Sequence, residues 1–153
     1  MNSNDNIKTG FTLIELIIVI FIISIFVGFG VPKFMEMFFN AEVRQDARKI
    51  AMIIKETRTS AILSKQEKSI VFDMDKHNLV YQTAFNDNKT FDIKNANVYI
   101  EEGDKEHKEG MYSIKIMPSG MANPCSIVLS SDEGAYTIRI KPFILNPEIL
   151  YSE

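Results

Sequence analysis

Gly10-Phe11-Thr12-Leu13-Ile14-Glu15-Leu16-Ile17-Ile18-Val19-Ile20, continuing through Phe21, Ile22, Ile23, Ser24, Ile25, Phe26, Val27, Gly28, Phe29, Gly30 and Val31, is the stretch on which the reading of this chain turns. Glu15 is its only charged residue. A helix over residues 11–31 rises about 30 Å, the hydrocarbon thickness of a bilayer, so the run reads as a membrane span. A carboxylate in such a span costs on the order of 3 kcal/mol at mid-helix and less near the end where Glu15 sits, so it asks for a partner charge. The plainer reading is a signal anchor whose Glu15 snorkels to the interface.

Upstream, residues 1–10 are mostly polar, and Lys8 beside Asp5 gives only a weak orientation signal. A secretory signal peptide fits badly. The apolar run is too long, and Gly28 and Gly30 lead into Val31-Pro32-Lys33, a poor setting for a small-residue cut. Within the span those glycines weaken the helix and allow close helix approach.

Downstream, Pro32 removes a backbone donor and crowds the preceding turn, so a bend is expected there. The helix is expected to continue over residues 32–65, because Val43, Ala47, Ile50, Ala51, Ile54, Arg58 and Ala61 recur at steps of three and four. Arg44, Asp46, Arg48, Lys49, Lys55 and Glu56 fall off that stripe, toward water or neighbouring chains. Past Gln66 the period changes to two and β-branched and aromatic residues take over, so residues 66–153 read as a β-rich domain. Ser69 to Met74 and Leu79 to Ala84 flank Asp75-Lys76-His77-Asn78 as a hairpin. Thr90 to Ile93, Val98 to Glu101, Tyr112 to Met117, Ser126 to Ser130 and Tyr136 to Lys141 read as further strands. Glu101 to Gly110 reads as a mobile, solvated charged loop. The fold class is α+β: a long N-terminal helix packed by its C-terminal half on an antiparallel sheet domain.

Composition narrows the function. With 153 residues, a membrane span leaves room for one small domain. The net charge of −3 carries no electrostatic footprint for nucleic acid. The single cysteine, Cys125, excludes an internal disulfide. Asp73, Asp75 and Asp87 do not form a calcium-loop pattern and read as turn residues. His77 and His107 are coupled to no nucleophile or metal-ligand set, so no catalytic residues, no metal and no cofactor are expected. Cys125, beside Pro124, reads as a small side chain at a strand edge. Arg58 is the one charge on the apolar stripe and reads as a guanidinium at the rim of the core with its stem buried.

Gly10-Phe11-Thr12-Leu13-Ile14-Glu15 at the head of an unbroken apolar span resembles the processing motif of type IV prepilins and type II secretion pseudopilins. The resemblance implies cleavage between Gly10 and Phe11 by a prepilin peptidase that also methylates the new terminus at Phe11. It further implies that residues 1–10 are a removed leader, that 11–31 is an assembly helix, that Glu15 acts in filament assembly and that Pro32 kinks the helix. The partners implied are other pseudopilins or pilins and the cytoplasmic (inner) membrane, with the C-terminal domain outside the cytoplasm.

A second, looser likeness covers most of the mature chain. Asp46-Ala47-Arg48, Arg58-Thr59-Ser60-Ala61, Ile116-Met117-Pro118-Ser119-Gly120, Ile127-Val128-Leu129 and Tyr136-Thr137-Ile138-Arg139-Ile140 resemble the GspH/FimT-type minor pseudopilins. The lack of a cysteine pair agrees with a minor rather than a major subunit. The departure is at Lys141-Pro142-Phe143, where members of that family often carry a Gly-Arg turn. The expected function is a minor subunit of a type II secretion-like pseudopilus. The alternatives are a FimT-like minor pilin that captures DNA, which the tail's lack of basic residues argues against, and an anchored domain unrelated to filaments.

Overall fold

A computed structural model describes residues 11–152 apart from 84, 86, 95, 132 and 133, with the helical backbone alone over 28–40. The elements are α1 (Leu13–Ser64), β1 (Lys68–Asp73), β2 (Asn78–Gln82), β3 (Asn88–Asp92), β4 (Asn97–Glu102), β5 (Lys105–His107), β6 (Met111–Ile116), β7 (Cys125–Ser131), β8 (Gly134–Ile140) and β9 (Glu148–Ser152). Contacts divide the chain into two compact units, Met1–Phe38 and Phe39–Glu153.

In the first unit, Phe11 and Thr12 precede the helix and every described apolar side chain from Phe11 to Val27 is exposed. Ser24 is satisfied within the helix, its hydroxyl donating to the Ile20 carbonyl at 2.8 Å. The helical backbone runs through Pro32. Among the described residues no helix is long and apolar enough to cross a membrane; the side chains of 28–31, the end of the apolar run, lie outside them.

The second unit is α+β. All seven residues of the helix stripe, Val43, Ala47, Ile50, Ala51, Ile54, Arg58 and Ala61, are buried, joined by Ile53, Thr57 and Ser60. A stripe repeating every three to four residues lies on one helix face, and burying it is what commits this segment to the sheets. The helix stops at Ser64, where Lys65 takes a left-handed φ of 53°.

Two antiparallel sheets complete the unit, with strand orders β3-β2-β1-β6 and β5-β4-β7-β8-β9. The expected first hairpin is present, with Asp73 opposite Asn78 and Ile70 opposite Tyr81. Alternate residues fill the core: Ile70 and Phe72 on β1, Ile114 and Ile116 on β6, Ile127 and Leu129 on β7, Ile138 and Ile140 on β8. Each such side chain contributes roughly 1.5–3 kcal/mol on burial.

Two segments differ from their sequence reading. Residues 101–110 do not form a plain loop. Glu102 pairs with Lys105 and Ile100 with His107, so β4 and β5 form a hairpin that reverses at Gly103, where φ is 62°. Its charges mark a short edge strand, a common way for a sheet to discourage further pairing. The C-terminal residues form β9, antiparallel to β8, with Tyr136 opposite Tyr151 and Ile138 opposite Ile149. β9 docks through its backbone while Ile149, Leu150 and Tyr151 remain 38, 42 and 46% exposed.

Candidate functional site

The candidate site begins at the helix start. Thr12 Oγ1 accepts the backbone N–H of Glu15 at 3.4 Å, and the Thr12 carbonyl accepts the N–H of Leu16 at 3.2 Å. Thr12 is therefore the N-cap. Thr12-Leu13-Ile14-Glu15 has the S/T-x-x-E spacing of a capping box, a signal the sequence reading passed over. The cap sets Glu15 in the first turn, where the unpaired N–H groups of the helix terminus favour a carboxylate. Phe11 and Glu15 are both exposed. Gly10 lies outside the described residues, as does the Pro32 side chain.

The other singled-out residues have structural employment. Asp73 Oδ1 accepts the Lys76 N–H at 3.0 Å while Oδ2 pairs with Lys76 Nζ at 3.1 Å. The backbone hydrogen bond is the main reason its carboxyl is held below the usual range. Asp75 Oδ1 accepts the Gly110 N–H at 3.1 Å, tying the first hairpin to the start of β6. His77 occupies a turn with φ of 50°. His107 lies against Tyr112, with ring centroids 4.8 Å apart. Among the described residues no group of three or more His, Cys, Asp or Glu could hold a metal ion. Cys125 is buried, which pushes its thiol up to about 12 and leaves it protonated at neutral pH.

Arg58 is buried more deeply than the sequence suggested. The whole residue is 1% exposed, head included. Its Nη2 donates to the Lys141 carbonyl at 2.7 Å and its Nη1 to the Ile144 carbonyl. Desolvation lowers its pKa from the ordinary arginine value. A guanidinium aimed at two carbonyls fixes the segment between β8 and β9, and nothing in the periodicity of α1 announces that target.

One surface groove carries a distinct charge. Arg44 and Arg48 on α1, Tyr136 on β8 and Ile149 and Tyr151 on β9 line a hollow of about 480 Å³. The rings of Tyr136 and Tyr151 stack at a tilt, 4.9 Å between centroids. A second groove, lined by Met52, Ser60, Leu63, Tyr81 and Phe85 among others, lies between α1 and the β2–β3 connection.

Together, an apolar helix start bearing Glu15 and a two-sheet domain packed on the C-terminal half of the same helix make a pilin-like α+β fold. Residues 6–31 match the model of the prokaryotic N-terminal methylation motif. The fold is similar to the solved structure of the minor pseudopilin EpsH from the type 2 secretion system of Vibrio cholerae, with a TM-score of 0.52 at 15% identity over 72% of this chain and 96% of that one. No curated protein matches the chain in sequence. Motif and fold together support assignment to the type IV prepilin/pseudopilin superfamily.

Proposed function

We propose that the chain is a minor pseudopilin of the GspH type, a subunit of a type II secretion-like pseudopilus. The observation that carries this reading is the methylation motif over 6–31 joined to a minor-pseudopilin fold on one chain. In this reading a prepilin peptidase cuts between Gly10 and Phe11 and methylates Phe11. The helix over 11–31 is held in the cytoplasmic membrane, and Pro32 bends it where it leaves the bilayer. Glu15 pairs with the N-terminal amine of an adjacent subunit, which offsets the burial of both charges. The domain over 66–153 stands outside the cytoplasm and contacts other pseudopilins.

The exposed side chains from Phe11 to Val27 support this reading, because so much apolar surface requires lipid or other helices around it. Mass spectrometry of the membrane-extracted protein tests it. The expected chain starts at methylated Phe11, and Gly10→Val retains the leader. An intact Met1 terminus in a host with active prepilin peptidase overturns the assignment.

A further inference from the structure

The connection between β8 and β9, Lys141-Pro142-Phe143-Ile144-Leu145-Asn146-Pro147, is held at several points yet turns its apolar residues outward. Arg58 donates to the carbonyls of Lys141 and Ile144. The Ala122 N–H donates to the Pro142 carbonyl at 3.3 Å, and Lys141 Nζ pairs with Glu148 across the base of the turn. Pro142 and Pro147 fix φ at two of its positions. Against that bracing, Phe143 is 85% exposed, Ile144 45% and Leu145 41%. The brace is also costly. Among the described residues Arg58 pairs with no carboxylate and its buried Nε has no hydrogen-bond partner, so a cation is desolvated to hold a surface turn.

The apolar surface continues onto the 117–122 turn, which the Ala122 bond ties to Pro142. The Gly120 N–H donates to the Met117 carbonyl at 2.8 Å, and Gly120 lies so close to α1 that an added Cβ would stand 2.7 Å from Ile62 Cδ1. Met117 and Ile62 are both exposed. No charged residue occurs over 117–122 or over 142–147, so this face offers shape and apolar area rather than ion pairs.

We propose that the 142–147 turn is a preorganised knob that inserts Phe143 into an apolar pocket of a different prepilin-class chain. This assignment rests on the proposed pseudopilus role and gives it a contact surface. Fixing a side chain in its bound position before contact lowers the ordering cost of association, and aromatic anchors in apolar pockets carry most interface energy. A bilayer does not fit as the occupant. Lipid deforms around any inserted side chain and needs no fixed turn, and Arg58 stands about 28 Å along α1 from Phe39, where the chain enters this unit. A second copy does not fit either: knob against knob, or a knob seated elsewhere on another copy, joins like chains, whereas a minor subunit is set among other chains. The partner is therefore a different chain, with an uncharged pocket that takes a phenyl ring.

The test uses the full-length chain in its own host with active prepilin peptidase, bearing the photoreactive substitution Phe143→p-benzoylphenylalanine. Illumination is expected to join it to another chain that carries an N-terminal methylation motif, with the linked peptide among that chain's apolar residues. Phe143→Ser, at an exposed position, is expected to leave the circular dichroism of the domain unchanged and to cut recovery of that partner at least about tenfold, as loss of a central aromatic anchor does. Phe143→Leu is expected to retain most of it. Linkage to lipid or to a second copy of this chain overturns the proposal, as does undiminished partner recovery with Phe143→Ser. So does absence of the adduct when Phe11 is processed and an Ile20→p-benzoylphenylalanine probe links a neighbouring chain. If leader removal and the Ile20 link also fail, the pseudopilus reading itself falls.

Discussion

The guanidinium of Arg58, within two turns of the end of α1, donates at 2.7 Å to the carbonyl of Lys141, the first residue after β8. Its other terminal nitrogen donates to Ile144, so one buried side chain holds both ends of the turn that carries Phe143. Phe143 itself is 85% exposed. Arg58→Met keeps much of the packing but leaves both carbonyls without their donor, a loss of about 1–3 kcal/mol. The expected result is a lower urea midpoint together with faster amide exchange in β9. Unchanged exchange in β9 would show that the tail does not depend on this clamp.

Some of this arrangement was legible in the sequence and some was not, for a physical reason. The stripe from Val43 to Ala61 was readable because a buried helix face must repeat every three to four residues. The β1–β2 hairpin was readable from two β-rich runs about a polar turn. β5 and β9 escaped because their sequences carry no alternation, each being held by backbone pairing to one neighbour. Lys105-Glu106-His107 has no apolar face at all, and Ile149-Leu150-Tyr151 are apolar at consecutive positions, so neither shows period two. Arg58 was visible as an anomaly on the stripe, but its acceptors are 83 and 86 residues away and are backbone atoms, which carry no sequence signature. At the helix start, the motif residues were legible, while the capping role of Thr12 needed its hydroxyl placed beside the Glu15 N–H.

The tail should loosen in acid. Glu148 accepts a hydrogen bond from Lys141 Nζ, and this bond is the first cause of its carboxyl lying below the ordinary 4.5. A depressed folded value means the pair contributes stability that is fully present above pH 4.5 and is lost as pH falls through the folded value. An NMR carboxyl titration should find Glu148 below 4.5, and Lys141→Met should move it back up. A wild-type titration at or above 4.5 means that the pair does not form in solution.

Glu15 is placed in the first helical turn by the Thr12 cap, within one turn of the residue proposed to carry the new terminus. Glu15→Leu improves partition into the bilayer but removes the charge proposed to meet a neighbour's amine. Because Glu15 belongs to the first compact unit, the domain in Phe39–Glu153 should fold unchanged. Co-purification with partner pseudopilins should fall while the circular dichroism of the domain is retained. Co-assembly equal to wild type rules out the charge pairing.

DNA capture makes a different demand on the surface. Non-specific binding draws most of its free energy from Lys and Arg displacing phosphate counterions, so a capturing segment needs several of them close together. The tail over 142–153 contains no basic side chain and two acidic ones, Glu148 and Glu153. The cationic groove offers only Arg44 and Arg48, set against the apolar surface of Ile149 and Tyr151. Two phosphate contacts correspond to a log–log salt slope of only about −2. The expected outcome is that the domain from about Glu42 onward binds duplex DNA no tighter than roughly 10⁻⁴ M at physiological salt. Fluorescence anisotropy across a salt series checks it. Micromolar binding that weakens steeply with salt would promote the DNA-uptake reading over secretion, and its loss in Arg44→Ala/Arg48→Ala would place the DNA in the groove those two arginines line.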